Sequence, residues 1–250
     1  MRSSLFSRAR VMSAGAVIAA GAVCGPLALS ASAAPAGNPL GRLTADQIAK
    51  RAVTDLKAAS SFHYHGSGKE SGQTLAISMS VTHKGCTGSM SDGGNGRFVI
   101  LAIGKTVWIQ PNDKFWVYLG VPASELSVVH GMWLKDTGTG SKSLSAVIAP
   151  FCSANKLVSL LAPQLTGFVK GKTIKISRHP ALQLRNKSGE SIYVSISSKP
   201  EILRISDDGT INFSAYGAHV TLTPPSAADV INLPGASVSA HSLQHLLRDL

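Results

Sequence analysis

Ser153-Ala154-Asn155-Lys156 is the stretch of this 250-residue chain whose spacing carries the most chemistry. It matches S-x-x-K, in which a serine nucleophile and a lysine amine sit one helical turn apart, the arrangement of serine acyl enzymes. That chemistry needs partner motifs. There is no Lys-Thr-Gly, and the nearest match to Ser-Asp-Asn, Ser91-Asp92-Gly93, lies upstream where it should follow. A capping serine followed by an exposed lysine accounts for the same four residues. His63 and His65 alternate and share one face of a strand, a spacing able to hold a metal with His83 nearby, but no further ligand is evident. A packed or solvent-facing pair explains them as well. Gly167-x-x-x-Gly171-Lys172-Thr173 is one residue short of a phosphate loop and precedes a strand instead of a helix. The 13 acidic residues fall mainly in turns and on the first helix, and no paired-carboxylate site appears. Scarce acids and usable histidines argue against general acid–base work. The chain reads as a non-enzyme with no cofactor and no metal.

Composition then sets the compartment. Arg2, Arg8 and Arg10, the apolar run Val11 to Val23 and the small-x-small site Ala31-Ser32-Ala33 make a secretory leader over residues 1–33, too short to span a bilayer. Without those three arginines, 21 basic residues stand against 13 acidic ones, a net charge of +8. The charges are scattered, which gives no nucleic-acid footprint. Lys170, Lys172, Lys175, Arg178 and His179 read as solvated strand edges, with attraction to an anionic membrane surface as the rival reading. Removing Cys24 with the leader leaves Cys86 and Cys152, which in an oxidising compartment read as a disulfide; a thiol or metal site is the alternative, with no suitable residues around either cysteine. Cys24 also ends Gly21-Ala22-Val23-Cys24, where a bacterial lipobox would fall. Val23 stands where a small residue is wanted, so lipidation at Cys24 and removal with the leader both stay open.

The elements that must position any site follow from periodicity. Residues 34–42 form a tether. Thr44 and Gln47 fit a capping box that starts a helix with Ile48, Ala52, Val53 and Leu56 on one stripe. Strands are expected at Phe62 to Lys69, Thr74 to His83, Cys86 to Asp92, Arg97 to Ile103, Thr106 to Gln110 and Phe115 to Leu119. From 121 to 165 alternation gives way to helical spacing: a turn at Glu125 to Val129, an extended Met132 to Leu134, and helices at Ser143 to Ile148 and Lys156 to Leu165. Alternation resumes through Ile174, Ile176, Leu182, Leu184, Ile192, Val194, Ile196, Leu203, Ile205, Ile211, Phe213, Val220 and Leu222, with turns at Asn186 to Gly189, Lys199-Pro200 and Asp207 to Gly209. Such a sheet has one apolar face, and the helical insert is a natural lid for it, tied down by Cys152 to Cys86. Trp108, Trp116, Trp133 and Tyr118 read either as core or as a ligand mouth. Residues 43–235 make one domain. The tail 236–250 places Leu243, Leu246, Leu247 and Leu250 at helical spacing.

Ser191-Ile192-Tyr193-Val194, Lys199 to Ile205, Gly209-Thr210-Ile211-Asn212-Phe213-Ser214-Ala215-Tyr216-Gly217 and Val220 to Pro225 with Ala228-Asp229-Val230 resemble the closing strands of the LppX/LprG-like lipoproteins of actinobacteria, relatives of the LolA lipoprotein carriers. The resemblance implies an α+β fold, a curved antiparallel β half-barrel with helices covering its concave face. It also implies a carrier in the cell envelope that encloses acylated lipid in an apolar cavity. It supplies no catalytic residues. The expected function is an exported, non-catalytic carrier of a lipid or lipoprotein acyl chain, secreted or at the outer face of the cell membrane. The expected cavity wall is Val107, Ile109, Val117, Leu157, Leu160, Leu161, Ile176, Leu184, Val194 and Phe213. An envelope sensor or protein-interaction module on the same scaffold is the first alternative, and a serine hydrolase using Ser153 the second.

Overall fold

The computed structural model describes residues 38–70, 73–136, 143–161, 166–207 and 209–232. The leader, Cys24, residues 34–37 of the tether, the end of the helix expected to reach Leu165, and the tail all lie outside them. The chain opens with helix α1 (Ala45–Ala58), followed by strands β1 (Ser61–Glu70), β2 (Gln73–Thr82), β3 (Gly85–Asp92), β4 (Gly96–Ile103) and β5 (Thr106–Pro111). Helices α2 (Asp113–Tyr118) and α3 (Leu126–Val129), strand β6 (Trp133–Asp136), and helices α4 (Leu144–Ile148) and α5 (Ala154–Leu161) come next, with a 3-10 turn at Ala149–Cys152. Strands β7 (Val169–Ile176), β8 (His179–Arg185), β9 (Ser191–Ser195), β10 (Ile202–Ser206), β11 (Thr210–Ser214) and β12 (Val230–Asn232) complete it.

All twelve strands join one open, curved sheet in the order β12-β6-β5-β4-β3-β2-β1-β11-β10-β9-β8-β7. Every pairing is antiparallel except β12 with β6. Strand β1 is the seam. It pairs with β2 on one side and with β11 on the other, so Tyr64 stands opposite both Met79 and Phe213. Two meanders far apart in sequence thus become one bowl. This is the α+β half-barrel with a helix-covered concave face.

The expected capping box starts α1: Gln47 N donates to Thr44 Oγ1 at 3.2 Å, and Thr44 N donates to Gln47 Oε1 at 2.8 Å. Ile48, Ala49, Ala52, Val53 and Leu56 bury against the concave face, and each large side chain contributes about 1.5–3 kcal/mol of apolar burial. Helix α5 adds Leu157 and Val158, and α4 adds Leu144 and Ile148. Close strand contacts leave no room for side chains at two inner positions. A Cβ on Gly88 would lie 2.1 Å from Ser78 O, and one on Gly66 would lie 2.3 Å from Thr210 O. Among the described residues no helix is long and apolar enough to cross a membrane.

Two expectations are corrected, and one turn forms without a sequence signal. Phe115 to Leu119 is helix α2, not a strand. Asn112 caps it by accepting from Phe115 N at 2.9 Å, and helical facing buries Phe115 and Trp116 while exposing Val117. An all-apolar run carries no period, so only the cap distinguishes the two. Val220 and Leu222 form no strand, because both edges of β11 are already taken by β1 and β10. The chain instead crosses to β6 and pairs there as β12. The turn between β7 and β8 carries no Gly, Pro or Asn to announce it. It is Ser177-Arg178, with φ of 47° and 72°, the doubly left-handed geometry that usually recruits Asn-Gly.

Candidate functional site

The site is the open end of the bowl. Its floor is the last inward-facing row of the sheet before the hairpin turns. Phe62 stands opposite Val81, Val81 opposite Cys86, Cys86 opposite Ala102, and Ala102 opposite Val107. Above this row lies a pocket of about 630 Å³, within the range of roughly 300–1,000 Å³ of small-ligand sites. Phe62, Val81, Ala102 and Val107 face it directly, and Cys152 closes it from above. Its rim comes from the β2–β3 turn, the β4–β5 turn, the end of α1 and the starts of α4 and α5.

The roof is strapped to the sheet at two points. Cys86 and Cys152 form a disulfide, Cα to Cα 5.1 Å, across 66 residues. One residue away, Tyr64 Oη donates to Phe151 O at 2.8 Å. Burial holds the Tyr64 phenol well above its ordinary value, so it stays a donor. The expected tie between helical insert and sheet is thus present, and it is made from the 3-10 turn that ends at Cys152.

The ten expected wall residues divide. Val107 lines the pocket. Ile109, Leu157, Leu184, Val194 and Phe213 are buried in the main core, each at most 4% exposed. There they pack in one buried cluster with Tyr64, Met79 and Ile100. Val117 is 49% exposed on the outer side of α2. Ile176 lies on the opposite face of the sheet, in a small cluster with Ala181 and Leu203. A register shift between Lys170 and Thr173 precedes it, and a one-residue shift moves every later side chain of a strand to the other face. The side chains of Leu160 and Leu161 lie outside the described residues.

Ser153 and Lys156 both line the pocket, although no hydrogen bond joins them. His63 and His65 are together on the outer face, ring centroids 5.8 Å apart. His63 contacts Ser80 Oγ at 3.1 Å, and burial followed by the charge of His65 lowers its pKa. No group of three metal-binding side chains exists among the described residues. Trp108 and Trp116 are buried, and neither they nor Trp133 and Tyr118 reach the pocket. Sequence reasoning missed the turn residues Lys84 and Lys105 as site residues. The signal was there in one form: each sits in the turn of a hairpin whose inner row ends at the floor.

No protein-family model and no curated protein matches the chain. Solved structures similar to it include an uncharacterized conserved protein from Thermus thermophilus, with a TM-score of 0.37 at 12% identity over 76% of this chain and 99% of that one. A DUF1329 family protein from Desulfovibrio piger gives 0.26 at 11% identity over 71% and 93%. The structure of MucB gives 0.29 at 12% identity over 72% and 61%.

Proposed function

We propose that this protein is an exported, non-catalytic carrier that holds an acyl chain of a lipid or lipoprotein in the pocket at the open end of its half-barrel. The observation behind this reading is the apolar floor, Phe62, Val81, Ala102 and Val107, beneath a pocket of about 630 Å³. Neighbouring strands lie about 4.8 Å apart, so from β2 to β5 the floor runs about 14 Å. An alkyl segment of about ten methylenes laid along it gains on the order of 8 kcal/mol before ordering costs. The disulfide and the leader fit an oxidising envelope. The lysines of edge strand β7 fit peripheral contact with an anionic membrane surface.

Native mass spectrometry of protein purified from its own host tests this. Bound lipid adds mass, and Ala102→Phe, which fills the floor, removes that mass without unfolding the protein. Lipid-free protein that also fails to bind a fluorescent fatty acid refutes the carrier.

A second reading has its own observation. The deeper concave face is filled by Tyr64, Met79, Ile100 and Phe213, as suits an envelope sensor or protein-interaction module on the same scaffold. A stable complex with an envelope protein, unaffected by Ala102→Phe, favours it.

A further inference from the structure

We infer that the ligand of this pocket carries a phosphate group, held by four lysines at the rim; this rests on the acyl-carrier reading. The lysines come from four separate elements. Lys57 is in the last turn of α1, Lys84 in the β2–β3 turn, Lys105 in the β4–β5 turn and Lys156 in the first turn of α5, and all four line the pocket. The two hairpin turns abut: Gly104 N donates to Lys84 O at 3.1 Å. None of the four ammonium groups has an ion-pair or hydrogen-bond partner among the described residues. No Asp or Glu lies among the described lining residues. The nearby carboxylate, Asp136, is 4% exposed and accepts from Ser145 N at 3.0 Å, so it sits behind the wall.

Like charges gathered at one mouth repel one another and attract an anion. Other groups there favour the same ligand. Ser153, Ala154 and Asn155 bring the N-terminus of α5 to the pocket, where free backbone N–H groups and the helix dipole favour negative charge. A lysine ammonium is a point-charge phosphate binder that needs no planar geometry. The apolar floor and basic rim therefore describe one amphiphile: a hydrocarbon tail along the β2–β5 row and a phosphate head between the turns.

The test compares three probes on the full chain by isothermal titration calorimetry at low salt. They are a short-chain lysophosphatidic acid, the monoacylglycerol of the same chain length, and inorganic phosphate. The phosphate lipid is expected to bind about tenfold tighter than the neutral one, the increment of a charge-assisted contact, and to lose that advantage in high salt. Lys84→Gln with Lys105→Gln removes the advantage of the phosphate lipid over the neutral one, as does the second pair, Lys57→Gln with Lys156→Gln. Lys172→Gln with Lys175→Gln, on the β7 edge, changes neither. Equal affinity for the two lipids overturns the inference and leaves the carrier standing. Inorganic phosphate binding as tightly as the lipid makes this a free-anion site and overturns the lipid head group. Failure of all three probes overturns the carrier with it.

Discussion

Removing the Cys86–Cys152 bridge perturbs both the fold and the pocket. Cys86→Ala with Cys152→Ala opens a loop of 66 residues. On the chain-entropy relation a loop of that length gives about 4 kcal/mol through the unfolded state. Cys86 is fully buried, so its lost sulfur adds up to about 1 kcal/mol of packing. The expected loss is therefore about 4–5 kcal/mol. Urea unfolding followed by the fluorescence of the buried Trp108 and Trp116 reads it. The denaturant slope is fitted separately for each protein, because the bridge also makes the unfolded chain more compact. The roof turn would then be held at this end by the Tyr64–Phe151 hydrogen bond, worth about 1 kcal/mol. Affinity for a short-chain lipid should fall in parallel, measured on folded variant well below its unfolding midpoint. A stability loss under about 1 kcal/mol would refute the account of the bridge as the tether of roof to sheet.

Other outcomes follow from single residues. Gly88→Ala forces a Cβ to 2.1 Å from Ser78 O and 2.7 Å from Met79 Cα; thermal unfolding should show a loss of about 1–3 kcal/mol. Arg178→Gly relieves a left-handed residue in the β7–β8 turn and should raise stability by about 1 kcal/mol in the same assay. Thr44→Ala removes half of the α1 capping box and should lose about 1 kcal/mol in urea. Tyr64 and Tyr216 both have raised pKa values, chiefly from burial and, for Tyr216, also from Glu201. The unfolded state gives up these protons near pH 10 and the folded state only above it. Their contribution is therefore present below about pH 10 and falls as pH rises further. In an alkaline titration their tyrosinate absorbance should appear only as the protein unfolds; its appearance in the folded state would contradict this.

What local pattern determines here is the set of strands. Alternation with Gly, Pro and Asp turns places β1 to β5 within a residue or two of their ends and marks the apolar positions of β8 to β11, and Thr44 with Gln47 marks the start of α1. These signals act over a few residues, so the sequence states them directly. An odd or even position, however, does not say which face is inside. At Ile176 a bulge earlier in β7 reverses the facing, and at Val117 a capped helix replaces the strand. Cys86 and Cys152 were legible as a pair because only two cysteines lie beyond residue 33. Their role as a strap beside Tyr64 was not, since it depends on how a 3-10 turn crosses the bowl.

The sequence by itself determined a basic, strand-rich chain with one helical insert, because charge and periodicity are local or additive properties. Only the tertiary structure decided that β11 joins β1, that β12 runs beside β6, and that most of the apolar bowl is filled by its own side chains. It alone brought Lys57, Lys84, Lys105 and Lys156 to one rim from positions up to 99 residues apart, 57 to 156. Pairing partners and facing depend on which edges are free and how bulky the neighbours are, and those are properties of the assembled sheet.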